Sequence, residues 1–398
     1  MTNEIRFGYF QTMSQSPGES IHTAIQRGLA ESIYAEELGM DDLWVTDLSG
    51  QLSAGRIGGG GTRRGIDDNG DPVAIQTGVP GFQVLAWLAA RTRRIRLGTA
   101  IVPTPLRHPI SAAAEAVSLD HISEGRFDLG FGRGISGFFG PDALEKMAVG
   151  KVPIPTRDDL AAYKAQYYEA IDCATGIIND TNFSYRGTYY DFHDYTLLPR
   201  PFQEPSIPMW SVAQSADTYP EIGKRGLHLM IPLPGWHGGP TWEITSAALA
   251  DYRAEWTKAG HTGTPQVAVR TPTFIHENRD HAREIATRAW AETRRKLIRT
   301  SQLLAAQYDT ETAPNDGALL GTAGFDNIYN PDVPIDVIVD TMCVWGTPDM
   351  AKDQFERVRE ELGATSMMIE CQLLSSTDRE DHVRTLRLIA EQIMPVFR

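Results

Sequence analysis

Between Arg94 and Gly134 the chain reads RIRLGTAIVPTPLRHPISAAAEAVSLDHISEGRFDLGFGRG, and no other stretch limits the fold as strongly. Ile95–Val102 is a short apolar run of strand type. Pro103, Pro105 and Pro109 then mark a turn, and Ile110–Ile122 has the spacing of a helix with one buried face. Phe127–Gly132 is a second strand, and it delivers Arg133 between two glycines. Strand, helix and strand within about 40 residues make a βαβ unit, so the two strands run parallel. In parallel α/β folds ligands lie beyond the carboxyl ends of the strands, which is where Arg133 falls.

The same alternation continues along the chain. Strands are predicted at Ile5–Phe10, Asp42–Thr46, Ile95–Val102, Phe127–Phe131, Met209–Ala213, Leu227–Pro232, Val267–Phe274 and Ser366–Cys371. Helices are predicted at Ser20–Leu38, Phe82–Ala90, Ile110–Ile122, Arg157–Ile171, Ala216–Arg225, Trp242–Ala259, His281–Leu304, Pro348–Leu362 and Asp378–Ile393. Eight strands alternating with helices is the count of a (β/α)8 TIM barrel, here read as one domain over residues 1–398. Two insertions interrupt the pattern. Ser49–Gly81 follows the second strand and carries the run Gly58-Gly59-Gly60-Gly61, and Ala305–Asp336 lies between the seventh and eighth strands. Long loops in compact domains are usually functional, with two solvated loops as the alternative reading.

Composition narrows the partners. A net charge of −14 argues against nucleic acid and against anionic membranes, both of which need concentrated positive charge. No apolar run reaches membrane-spanning length. Cys173, Cys343 and Cys371 are widely separated and form no CxxC pair, so a disulfide framework or cysteine zinc site is not expected. The opening Met1-Thr2-Asn3-Glu4-Ile5-Arg6 lacks the basic-then-apolar pattern of a signal peptide, and a cytoplasmic protein is expected. No metal motif such as HExxH and no GxSxG elbow occurs.

Several residues have the chemistry of a site. Gln214-Ser215-Ala216-Asp217-Thr218 follows a strand and opens a helix, with Ser215 expected to cap it and Thr218 one turn on. On the residues alone this reads first as an ordinary serine N-cap, the alternative being an anion site of backbone N–H groups, the helix dipole and two hydroxyls. Arg133 offers paired, permanently charged donors suited to phosphate oxygens. Gly132-Arg133-Gly134-Ile135-Ser136-Gly137 is a literal GxGxxG, but Phe138-Phe139-Gly140-Pro141 is a poor helix opening, so a dinucleotide site is rejected. Asp47, just beyond the second strand, is a candidate base or substrate-orienting group, with a structural hydrogen-bonding role as the alternative. His237, after the sixth strand, is a candidate on the substrate side.

The Arg94–Gly134 stretch resembles the bacterial-luciferase-like flavin monooxygenases, the luciferase α subunit and diketocamphane monooxygenase type. So do Trp210–Thr218 with Gly223-Lys224-Arg225-Gly226, the opening Ile5–Phe10, and Gly39–Trp44. Near the end, Val344–Asp349 and Glu391–Pro395 are similar to that family's closing helices. The resemblance implies that Arg133, Ser215 and Thr218 hold a flavin phosphate with Gln214 nearby, where the luciferase α subunit has glutamate. It implies that Ala100 lies beneath the flavin ring, at a cis Ala100–Ile101 peptide, that His108 is structural, and that the second insertion is a lid. Leu48 stands where the luciferase α subunit has its catalytic histidine, which argues against aldehyde chemistry with light emission. The implied function is a two-component monooxygenase using reduced FMN and O2 on a small, fairly apolar organic substrate, with Trp236, Phe138 and Phe139 as candidate walls. The resemblance also implies a separate NAD(P)H-dependent flavin reductase that supplies the reduced flavin, and a possible homodimer, since the family often dimerises through its early helices. The alternatives are a deazaflavin-dependent oxidoreductase on the same barrel and a non-catalytic flavin-binding subunit.

Overall fold

Eight strands pair side by side in parallel and the last returns to the first, closing a (β/α)8 barrel. The computed structural model describes residues 4–47, 66, 69–72, 78–104, 107–133, 160–235, 241–305, 328, 330 and 332–398. In chain order these hold β1 (Arg6–Gln11), α1 (Ile21–Glu37), β2 (Asp42–Val45), α2 (Gly81–Ala89), β3 (Arg96–Thr99), β4 (Val102–Pro103), α3 (Pro109–Ile122), β5 (Phe127–Gly132) and α4 (Leu160–Asn179). Then follow β6 (Phe183–Arg186), β7 (Asp191–Tyr195), β8 (Met209–Val212), a 3-10 turn (Ala216–Thr218), α5 (Tyr219–Lys224), β9 (His228–Pro232), α6 (Trp242–Lys258) and β10 (Val267–Ile275). The last elements are α7 (Arg279–Ala305), α8 (Ile335–Met342), β11 (Val344–Gly346), α9 (Pro348–Leu362), β12 (Ser366–Glu370) and α10 (Arg379–Leu388). The barrel order is β1-β2-β3-β5-β8-β9-β10-β12.

The strand runs are apolar without strict alternation because both faces are buried. Outward side chains such as Phe7, Leu43, Leu97, Leu129, Leu229, Val267 and Met367 join the main core beneath the helices. Inward ones fill the lumen, where Phe10, Trp44, Ala100, Trp210, Met230, Ala268 and Met368 form a separate cluster. Trp44 and Trp210 meet edge to face at 5.3 Å. Gly98 makes this possible: a Cβ there would lie 2.2 Å from the Trp44 ring. Below them, at the amino ends of the strands, Arg6 pairs with Asp42, and Arg96 holds Asp128 through two bonds of 2.9 and 3.0 Å.

Four local readings of the sequence change. The helix predicted to end at Ile171 runs on to Asn179, because Cys173, Ala174, Ile177 and Ile178 continue its buried stripe. β6 and β7 form an unpredicted antiparallel hairpin. Its strands are short, polar and mostly solvated, and its turn is built by the Glu169 carboxylate, which accepts N–H bonds from Thr188, Tyr189 and Tyr190. Val344–Gly346, taken with the closing helices, is instead a strand that pairs with the end of β10 before α9 begins. Within the range read as the second insertion, α8 already begins at Ile335. The glycine run of the first insertion lies outside the described residues, as does most of the lid segment.

Two desolvated histidines, His382 buried and His228 partly so, tie stability to pH. His228 lies between Trp210 and Trp256, and burial pushes its pKa down to about 4. His382 sits against Tyr9 and Gln372, and burial pushes it down to about 3. Both are neutral in the fold, whereas an unfolded histidine titrates near pH ~6.5. Their contribution is therefore complete above about pH 6.5 and is lost progressively as the pH falls towards about 4. Urea unfolding at pH 7 and pH 5 checks this, and His382→Gln should flatten the decline. Gly98→Ala should destabilise the fold by about 1–3 kcal/mol through overpacking, with part of the loss recovered in Gly98→Ala/Trp44→Phe.

Candidate functional site

At the carboxyl end of β5 the chain presents Arg133. Its backbone is anchored by the Tyr163 hydroxyl, which donates to the Arg133 carbonyl at 2.6 Å. The guanidinium is half-buried, and among the described residues no carboxylate pairs with it. It lies instead in electrostatic reach of Tyr163, Tyr167 and Tyr168, all on α4. Burial pushes the Tyr163 phenol up to about 12, so it stays protonated and donating at neutral pH. Burial raises Tyr167 too, and its hydroxyl shares a hydrogen bond with Ser211 on β8.

The tyrosine face joins Arg133 to the segment after β8. Tyr168 lies in electrostatic reach of Thr218, and the Ser215 and Thr218 hydroxyls are 3.0 Å apart. Ser215 departs from the expected cap, since its side chain makes no cap bond. The first turn is 3-10, so the Ser215 carbonyl, not its hydroxyl, accepts the Thr218 N–H at 2.9 Å. That leaves the hydroxyl to bond Thr218, with the Asp217 carboxylate in electrostatic reach. Lys164, one turn before Tyr168 on α4, reaches Asp217 at 2.5 Å. Gln214 is exposed. One guanidinium, one ammonium and several hydroxyls thus gather beside β5 and β8, a donor set chemically suited to an anion with several oxygens.

Next to β5, β3 leads directly into Ala100. Its N–H donates to the Val45 carbonyl at 2.8 Å, and the Ala100–Ile101 peptide is cis. Ala100 borders the apolar lumen together with Phe10, Trp44 and Trp210. Opposite β3 in the barrel order stand Arg270 on β10 and Glu370 on β12, a pair that sequence reasoning missed. Glu370 is 1% exposed and accepts Nε and Nη2 of Arg270 at 2.9 and 2.8 Å, while the guanidinium stacks 4.5 Å from Phe10. Each residue is two places beyond a lumen residue, Ala268 or Met368, and so points inward. An arginine and a glutamate about 100 residues apart leave no local pattern, although each charge interrupts an otherwise apolar strand.

Asp47 sits at the mouth beyond β2, fully buried and fully engaged. Oδ1 accepts the Gly81 N–H at 3.2 Å, and Oδ2 pairs with Arg107 at 2.9 Å. It fastens the start of α2 to the strand end, the hydrogen-bonding alternative read from the sequence. His108 is structural, accepting the Ile110 N–H at the start of α3. His237 lies outside the described residues, as do Leu48, Trp236, Phe138 and Phe139. No grouping of three or more His, Cys, Asp or Glu suited to a metal occurs among the described residues. Nor is any helix there long and apolar enough to cross a membrane.

The profile of the luciferase-like monooxygenases matches residues 5–366. The chain belongs to that family. It is 26% identical over 242 residues to the oxygenase component of the flavin-dependent trigonelline monooxygenase of Acinetobacter baylyi, covering 58% of this chain and 62% of that one. It is also 26% identical over 224 residues to the F420-dependent glucose-6-phosphate dehydrogenase of Kineococcus radiotolerans, covering 56% and 55%. The chain thus spans less than two thirds of the length of these curated relatives. Among solved structures it superposes on the oxygenating constituent of 3,6-diketocamphane monooxygenase from Pseudomonas putida, in complex with FMN, with a TM-score of 0.70. That match covers 98% of both chains at 17% identity and speaks for the fold. The family's relatives are thus oxidoreductases, flavin-dependent monooxygenases and F420-dependent dehydrogenases among them.

Asp47→Asn should cost about 1–3 kcal/mol of stability by weakening the buried contact to Arg107, which keeps Glu115. Denaturant unfolding reads this directly, and an unchanged midpoint would detach Asp47 from the α2 anchor.

Proposed function

We propose that this chain is a two-component flavin-dependent monooxygenase that uses reduced FMN and O2 to oxygenate a small, fairly apolar organic substrate. In this reading residues 1–398 act as one luciferase-like barrel domain in the cytoplasm, served by a separate NAD(P)H-dependent flavin reductase. The observation that carries it is the gathering of Arg133, Ser215 and Thr218 around the α4 tyrosines, beside a lumen bordered by Ala100.

The residues present fit reduced FMN. Arg133 would take two phosphate oxygens with its forked donors, and Ser215 and Thr218 would donate hydroxyls to the others, with Gln214 at the rim. Ala100 offers a small, flat wall against which a planar ring packs closely. When bound, reduced flavin supplies the activation of dioxygen. What remains is the protein's work. The apolar lumen excludes water from the mouth, which strengthens every charge contact there and suppresses competing hydrolysis. Arg270 and Glu370 neutralise one another, so the opposite wall is polar without net charge, which suits an uncharged substrate. Asp47 holds the mouth together through Arg107, and His237 is the titratable group that the sequence adds on the substrate side.

Anaerobic titration with reduced FMN tests the reading. Tight binding is expected, with reoxidation in oxygenated buffer slower than for free reduced FMN by rapid-scan absorbance. Arg133→Ala should weaken binding by about 1.5–3 kcal/mol, the worth of a charge-assisted contact. Preference for a reduced deazaflavin, or no binding, would overturn it. Immediate reoxidation with no substrate that alters it would favour the flavin-binding subunit.

A further inference from the structure

The outer edge of the phosphate region already holds an anion. The Asp217 carboxylate accepts Lys164 Nζ at 2.5 Å and stands in electrostatic reach of the Ser215 hydroxyl, which itself bonds Thr218. Those are two donors of opposite origin, one from α4 and one from the loop after β8, brought near a single carboxylate. A phosphate oxygen would use the same pair. Asp217 is 65% exposed, so it can turn to solvent at little cost, whereas Lys164 is 24% exposed and lies along the α4 face that carries Tyr168. Lys164 and Tyr168 are one turn apart, and Tyr168 lies in electrostatic reach of Thr218, so the ammonium lies on the hydroxyl side of the site.

The charges make the exchange favourable. A phosphate monoester carries about −1.5 to −2 at neutral pH. Arg133 alone leaves it under-neutralised, and Arg133 with Lys164 matches it. With Asp217 still in place, a phosphate would meet a second anion beside Ser215.

We propose that Lys164 is a further ligand of the cofactor phosphate, and that Asp217 is an anionic placeholder which gives up Lys164 and moves away from Ser215 when phosphate binds. This rests on the reduced-FMN reading above. The contact with Lys164 keeps the Asp217 carboxyl below its ordinary range, so the placeholder is charged throughout the neutral region.

Affinities of the full-length protein for reduced FMN and reduced riboflavin, measured anaerobically, separate the two levels. Riboflavin has the same ring and no phosphate. Lys164→Met should weaken reduced FMN about tenfold and leave riboflavin unchanged, with Lys164→Arg restoring most of the loss. Asp217→Asn should tighten reduced FMN about two- to fivefold, again without effect on riboflavin. Weaker FMN binding in Asp217→Asn would overturn the proposal, because the carboxylate would then be positioning Ser215. So would Lys164→Met that binds FMN like the wild type. Wild-type protein that binds both flavins equally would instead overturn the phosphate site itself, and the proposal with it.

Discussion

The packing of Trp44 into the notch left by Gly98 governs this barrel. A (β/α)8 lumen has to be filled, since a void forfeits dispersion contacts and a wet one strands polar groups. Here two indoles, Trp44 and Trp210, fill the middle, and glycine on β3 gives the room. Paired charges close the amino end, where Arg6, Asp42, Arg96 and Asp128 neutralise one another. With the middle and floor sealed, ligands can enter only at the carboxyl end. The position of the site follows from that plug.

Around the mouth the two halves of the barrel divide the work. β5 and β8 contribute cations and hydroxyls, with the α4 tyrosines bridging them. β1, β10 and β12 contribute Phe10, Arg270 and Glu370, which together make an aromatic wall and a self-neutralised polar pair. The proposed monooxygenase reading uses that asymmetry, with a cofactor phosphate on the donor side and an uncharged substrate on the other. Membership of the luciferase-like monooxygenases accords with it.

Much of the fold was legible because burial leaves a simple trace. A strand covered on both faces reads as an apolar run, and a helix lying on it reads as a 3.6-residue stripe. All eight barrel strands were legible on this basis. The β6–β7 hairpin was not, because its strands are solvated and Glu169 builds its turn from outside the hairpin. Val344–Gly346 was missed because a three-residue strand at the end of β10 is too short to show a period.

By itself, the sequence determined the order of the barrel strands and their helices, the net charge of −14, and the glycine-flanked position of Arg133 after its strand. Each is local, or a sum over residues, and so needs no knowledge of which parts meet. Only the tertiary structure decided that Asp47 is spent on Arg107 and Gly81, that the Ser215 hydroxyl turns from its backbone to Thr218, and that Arg270 meets Glu370. Those partners lie up to 100 positions apart in the chain. Hydrogen bonds and ion pairs act over a few ångströms of space, and closure of the barrel alone sets which distant residues come that close.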